Sequence, residues 1–126
     1  MSILGHGLDL VECARIAKVF ENHGARFLNR VLTPAEQERA KQYKNPIPFI
    51  AGRFAAKEAI LKMIGTGWRG GIAWTDMEVL PDALGRPLVT LTGETARLAA
   101  RLGIQRVFLS ITHTEHQAAA SAIGIA

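Results

Sequence analysis

The stretch GRFAAKEAILKMIGTG, residues 52–67, carries four charges at spacings that can do chemistry. On a helix turning about 100° per residue, Arg53 and Lys57 share one side and Glu58 and Lys62 another, and a Gly-Thr-Gly follows at once. Like charges at i,i+4 cost a few tenths of a kcal/mol unless an anion lies between them. Arg53 and Lys57 therefore read equally as a solvated basic edge or as an anion site. Glu58 and Lys62 form a Glu-to-Lys pair worth roughly 0.3–0.5 kcal/mol, and Lys62 in the last turn complements the helix dipole, so by themselves they read as structural. The loop at Gly65, Thr66 and Gly67 could cradle phosphate oxygens with its backbone N–H groups. It follows a helix C-terminus, however, where a P-loop uses an N-terminus, and turns are the default reading.

A second acid stands in GHGLDLVE, where Asp9 follows a glycine-containing strand and opens a helix with Glu12 behind it in a capping box. A cap does not exclude a second use. Mg²⁺ takes one or two carboxylates, several waters and the phosphate oxygens of a substrate. If Asp9 and Glu58 converge, with Arg53, Lys57 and Lys62 nearby, the set would hold a metal and a pyrophosphate; spacing alone does not establish convergence. His113 and His116 flank Glu115 in HTEH, which matches no metal motif and reads first as polar surface. Arg15, Lys18 and Arg26 read as a wet helical face that would also suit an acidic helical partner.

These residues need elements to hold them. The first helix runs from Asp9 to about His23, with Gly24 closing it. A second starts at Thr33 (N-cap), Pro34 (first position) and Glu36 (third). The helix of the opening stretch spans about Pro48 to Ile64, capped by Gly65. TDMEVLPDALGRPLVTL reads as two strands around a turn on Asp82, Gly85 and Pro87, and TGETARLAARLG as a short helix ended by Gly103. RVFLSITHTEHQAAASAIGIA gives two strands joined through Thr112 to His116. The last is so rich in alanine that another backbone must approach it closely. This order predicts α+β: a mainly antiparallel sheet with one long helix packed on it.

The 126 residues suffice for one packed core, hence a single domain over 1–126. A net charge of +4 favours acidic partners, and ten of the 15 cations lie within residues 1–62 against six acids. One cysteine, Cys13, excludes a disulfide framework and suits a reducing cytosol. No signal peptide is read at the N-terminus, and no run approaches the roughly 20 apolar residues of a membrane span. A soluble, cytoplasmic protein is expected, with no membrane partner.

GHGLDLVECARI, FIAGRFAAKEAILKMIGTG and LSITHTEHQAAASAI together closely resemble the holo-acyl-carrier-protein synthases, the small 4′-phosphopantetheinyl transferases, from residue 3 to about 125. An early G-x-D followed some forty-five residues later by F-x-x-K-E-A-x-x-K-x-x-G is a highly specific combination. The resemblance implies transfer of 4′-phosphopantetheine from coenzyme A to a serine of apo-acyl-carrier protein, for fatty acid biosynthesis, with release of adenosine 3′,5′-bisphosphate. It implies Asp9 and Glu58 as magnesium ligands; Arg53, Lys57 and Lys62 as coenzyme A phosphate contacts; Gly65, Thr66 and Gly67 beside the nucleotide; and Ser110, Thr112, His113 and Thr114 at its border. A trimer with sites shared between neighbouring subunits is typical of the family. Lys62 would offset charge on the leaving phosphate. The general base would be Glu58 through a metal-bound water or, second, His113; some relatives follow that histidine with aspartate, where this chain has Thr114. Arg15, Lys18 and Arg26 would dock the acidic carrier protein, with Phe27 as an apolar contact. A nucleic-acid-binding module is disfavoured, with aromatics at 6% and no matching motif; a non-catalytic coenzyme A or nucleotide sensor would present the same binding residues.

Overall fold

The computed structural model describes residues 2–67 and 70–126. In chain order they form β1 (Ile3–Glu12), α1 (Cys13–Val31), α2 (Pro34–Ala40), α3 (Ile47–Ile64), a 3₁₀ turn (Trp74–Asp76), β2 (Met77–Pro81), β3 (Pro87–Leu91), α4 (Gly93–Arg101), β4 (Arg106–His113) and β5 (Gln117–Ile125). The fold is α+β as the order of elements predicts. β1, β5 and β4 make an antiparallel sheet with β5 in the middle, and β2 and β3 make a separate antiparallel hairpin. Among the described residues no helix is long and apolar enough to cross a membrane.

α3 is the axis of the core. Its apolar residues point all round rather than to one stripe, and twelve of its 18 residues are buried, the mark of a helix enclosed on every side. The alanine-rich β5 explains how. Ala118, Ala120 and Ala122 are buried on the face that meets α3, so the close backbone that the alanines call for is this helix. A Cβ placed on Gly52 would lie 3.2 Å from Ile111 Cγ2 of β4, whereas one on Gly7 of β1 would lie 1.9 Å from Ala59 O. The helix thus crosses the sheet diagonally, from β4 at its start to β1 near its end.

Two boundaries differ from expectation. Asp9 is not a helix cap. β1 continues to Glu12, which pairs with Gln117, and Cys13 N donates to His116 O at 2.8 Å, so the ladder with β5 satisfies backbone groups that a cap would have served. α1 then begins without a side-chain cap, and the Asp9–Glu12 capping box does not form. Nor does Gly24 end α1: it sits inside at φ 49°, ψ −120°, a kink between two helical pieces. The Thr33–Glu36 capping box is formed, with Thr33 N to Glu36 Oε1 at 2.9 Å and Glu36 N to Thr33 Oγ1 at 3.3 Å.

Candidate active site

Along β1 the residues Gly5, Gly7, Asp9 and Val11 face α3. Cβ atoms on the two glycines would come within 2.2 Å of Met63 O and 1.9 Å of Ala59 O, so only glycine lets the strand lie directly on the helix backbone. Asp9 follows on the same face. Lys62, one turn beyond Glu58 on α3, reaches it: its Nζ donates to Asp9 Oδ1 and to Leu8 O, both at 3.0 Å. The Asp9 side chain is 16% exposed and that of Lys62 55%, so the pair lies at the rim of the core with access to solvent. Glu58 is half-buried on the same row of the helix, an i,i+4 step of about 5–6 Å from Lys62. Strand and helix therefore bring Asp9, Glu58 and Lys62 to one side of the molecule.

Arg53 and Lys57 do not join them. Lys57 is 0% exposed, and its ammonium donates to Glu36 Oε1 and Val31 O, each at 2.6 Å. Glu36, also buried, accepts from Thr33 N and, at 2.8 Å, from Val79 N. Burial draws the Lys57 pKa below its ordinary value, and the Glu36 charge opposes that shift. The Arg53 guanidinium lies 4.1 Å from the centroid of the Phe49 ring and donates through Nε to Val79 O at 3.2 Å. Its pKa is likewise lowered by burial, against the Glu36 charge. The anion that the two stacked cations require is thus a carboxylate of the chain itself. The reading of Lys57 as a phosphate contact is corrected, because no ligand can reach an ammonium enclosed in this way.

The remaining expected residues divide. Gly65 and Gly67 both take positive φ, 85° and 62°, with nothing within 4 Å of an added Cβ, and Thr66 Oγ1 donates to Gly67 O at 3.3 Å. They form an open loop at the end of the helix that carries Glu58 and Lys62. The loop's Trp68 and Arg69 lie outside the described residues. Ser110 and Thr112 alternate onto the sheet face opposite α3, away from Asp9. His113 is exposed on the α3 face, but Asp9, Ala120 and Ile111 fill one row of the sheet and Val11, Ala118 and His113 the next. Two strand spacings put His113 about 10 Å or more from Asp9. Thr114 closes the hairpin, its Oγ1 accepting from His116 N at 3.2 Å and Gln117 N at 3.1 Å.

Two features escaped the sequence. A cleft of about 720 Å³ opens between β3, α4 and β4, bordered by Arg86, Pro87, Phe108 and Ser110; its only trace in the sequence is the GRP of a turn. The second is an aromatic stack of Phe54 on Trp74, with centroids 4.8 Å apart and the Arg15 guanidinium 5.9 Å from the Phe54 ring. Arg15, Lys18 and Arg26 are all exposed, whereas Phe27 is partly buried against the core.

Among the described residues no group of three or more His, Cys, Asp and Glu gathers, so a thiolate or imidazole metal site is not built here. Two carboxylates at a solvent-reached rim, beside a lysine, match what Mg²⁺ needs when a substrate supplies the other oxygens.

Known proteins resemble the chain over nearly its whole length. The profile of the 4′-phosphopantetheinyl transferase superfamily matches residues 5–122. A holo-[acyl-carrier-protein] synthase of Koribacter versatilis is 48% identical over 96% of this chain and 97% of its own length. The crystal structure of the Neisseria meningitidis holo-[acyl-carrier-protein] synthase superposes with a TM-score of 0.90 at 34% identity, covering 99% of this chain and 100% of that one. The Helicobacter pylori synthase in complex with coenzyme A gives 0.83 at 30% identity, covering 95% and 99%. The chain belongs to the 4′-phosphopantetheinyl transferase superfamily, and within it to the small holo-acyl-carrier-protein synthases.

Proposed function

We propose that this chain transfers 4′-phosphopantetheine from coenzyme A to a serine of apo-acyl-carrier protein in fatty acid biosynthesis, and that Asp9, Glu58 and Lys62 form the centre of that reaction. The observation carrying the assignment is the Lys62 ammonium on the Asp9 carboxylate at 3.0 Å, with Glu58 one turn away. The serine oxygen attacks the phosphorus that bears pantetheine, the bond to the bridging oxygen breaks, and adenosine 3′,5′-bisphosphate leaves. Asp9 and Glu58 would hold Mg²⁺, which supplies charge neutralisation and polarisation of the diphosphate. Lys62 turns from Asp9 toward the leaving phosphate, where growing negative charge strengthens its hold in the transition state. Glu58, reaching the serine proton through a bound water, is the general base; His113 of the same chain stands too far from Asp9 for that role.

Ser110 and Thr112 lie on one face of the sheet and Asp9 on the other, an arrangement that favours a coenzyme A site between two copies of the chain. That split supports a trimer with shared sites, in which the cleft beside Arg86, Pro87 and Ser110 takes the nucleotide end of the donor. Arg15, Lys18 and Arg26 offer an exposed basic surface to the acidic carrier protein. A cytoplasmic enzyme fits the single cysteine. Incubation with coenzyme A, Mg²⁺ and an apo-acyl-carrier protein, followed by mass spectrometry of the carrier, tests the reading. A gain of one phosphopantetheine mass that Asp9→Asn and Glu58→Gln each reduce by 100-fold or more is expected. Binding of coenzyme A with no transfer to any of several carriers would instead assign a sensor.

A further inference from the structure

The outer face of the β1–β5–β4 sheet, opposite α3, is apolar and uncovered in the single chain. Leu8 and Leu10 are each 60% exposed and Phe108 48%, and the register sets His6, Ile123 and Phe108 in one row, with Leu8, Ser121 and Ser110 in the next. His6 is thus an ionisable side chain set among leucine, isoleucine and phenylalanine, its Nε2 3.1 Å from Ser121 Oγ. The other charged residues on this face stand at its ends. Arg106 is two residues from Phe108 on β4, its guanidinium 5.0 Å from that ring's centroid. Glu12 is six residues along β1, about 20 Å away, and accepts from Gln117 Nε2 at 2.8 Å. β5 pairs Ile123 with His6, Ile125 with Arg106 and Gln117 with Glu12, and brings no charged side chain to this face.

We propose that His6 makes self-assembly of this chain through its outer sheet face pH-dependent, joining copies while the imidazole is neutral and releasing them when it is protonated. The occupant is a second copy because Ser110 and Thr112 lie on this same face; the inference therefore rests on the shared-site reading above. Covering the face takes the ring out of water. A neutral imidazole tolerates that with Ser121 as its hydrogen-bond partner, since the hydroxyl can donate or accept. A cationic ring loses its hydration, and the nearest charge on its own face is the positive Arg106, to which a second copy adds another histidine and another arginine. Assembly then favours the unprotonated form. By linkage the assembly weakens as pH falls. Three copies that take up as many as three protons on separating lower the assembly constant by up to about 1000-fold per pH unit.

Sedimentation velocity of the full chain between about pH 8 and 5.5, at a concentration near the dissociation constant of the assembly at pH 8, reads this directly, with far-UV circular dichroism to confirm that the fold persists. The wild type is expected to shift to a smaller species as pH falls, His6→Leu and His6→Gln to remain assembled throughout, and His6→Lys to be dissociated already at pH 8. Wild type that keeps its assembly at pH 5.5, or His6→Leu that separates over the same range, overturns the proposal. Wild type that is monomeric at pH 8 at every concentration overturns the shared-site reading along with it.

Discussion

Exchanging Lys57 for methionine keeps the length of the side chain and removes its charge from a place without solvent. Glu36 then retains Thr33 N and Val79 N as donors but loses the counter-charge that sat 2.6 Å away. Removing one member of a buried pair costs about 3–5 kcal/mol, because the other charge stays where water cannot reach it. At about 4 °C per kcal/mol for a chain of this size, the melting temperature should fall by roughly 12–20 °C. Adding Glu36→Gln removes the stranded charge, and the double-mutant cycle should show a coupling of about 1–3 kcal/mol. Enclosure also predicts what does not change. Measured well below the midpoint, the KM for coenzyme A should stay within about twofold of wild type, since no ligand touches this ammonium. A KM raised about tenfold, equivalent to about 1.4 kcal/mol of binding, with a melting temperature lowered by only a few degrees, would refute the reasoning and return Lys57 to the binding site.

Gly7→Ala places a Cβ 1.9 Å from Ala59 O, so β1 must withdraw by about 1.5 Å; a stability loss of about 1–3 kcal/mol in urea denaturation and a loss of transfer of about 100-fold are expected, because Asp9 moves with the strand. Arg86 N, donating its backbone hydrogen bond, holds the Asp82 carboxyl below its usual range, with Leu84 N and the Arg86 guanidinium assisting. The stabilisation this provides is full above about pH 4 and lost as pH falls through the lowered value, so Asp82→Asn should flatten the acid limb of a stability profile and leave stability almost unchanged once pH is below that lowered value. Arg15→Glu should raise the KM for the carrier protein several-fold at low ionic strength, with the difference fading in salt; an unchanged KM at low ionic strength would remove the docking assignment.

Much of the architecture could be read from residue order: α3 with its glycine cap, the Thr33 capping box, the Asp82 turn and the alanine strand all follow local rules of spacing and turn chemistry. The failures share one cause, which is partners far away in the chain. Asp9 looked like a cap because Glu12 stands three residues on, yet the deciding interaction is with β5, more than a hundred residues later. Lys57 looked like half of an anion site because its neighbour at i−4 is Arg53; the anion proved to be Glu36, itself read only as a capping residue. Periodicity gives the side of a helix on which a charge sits and says nothing of what covers that side. Asp9, Glu58 and Lys62 were legible as a group through resemblance to a family, and geometry then supplied the glycines that bring strand and helix together.

The enclosure of α3 on all sides fixes how this sequence can vary in length. Deleting one residue between Gly52 and Glu58 would turn everything beyond it by about 100°, swinging the Glu58 carboxylate toward the interior and unseating the lysine beside it. Insertions and deletions are therefore admissible in connections such as the turn from Asp82 to Arg86, and not within these 18 residues. The spacing that made the segment recognisable is a mechanical requirement as much as a chemical one.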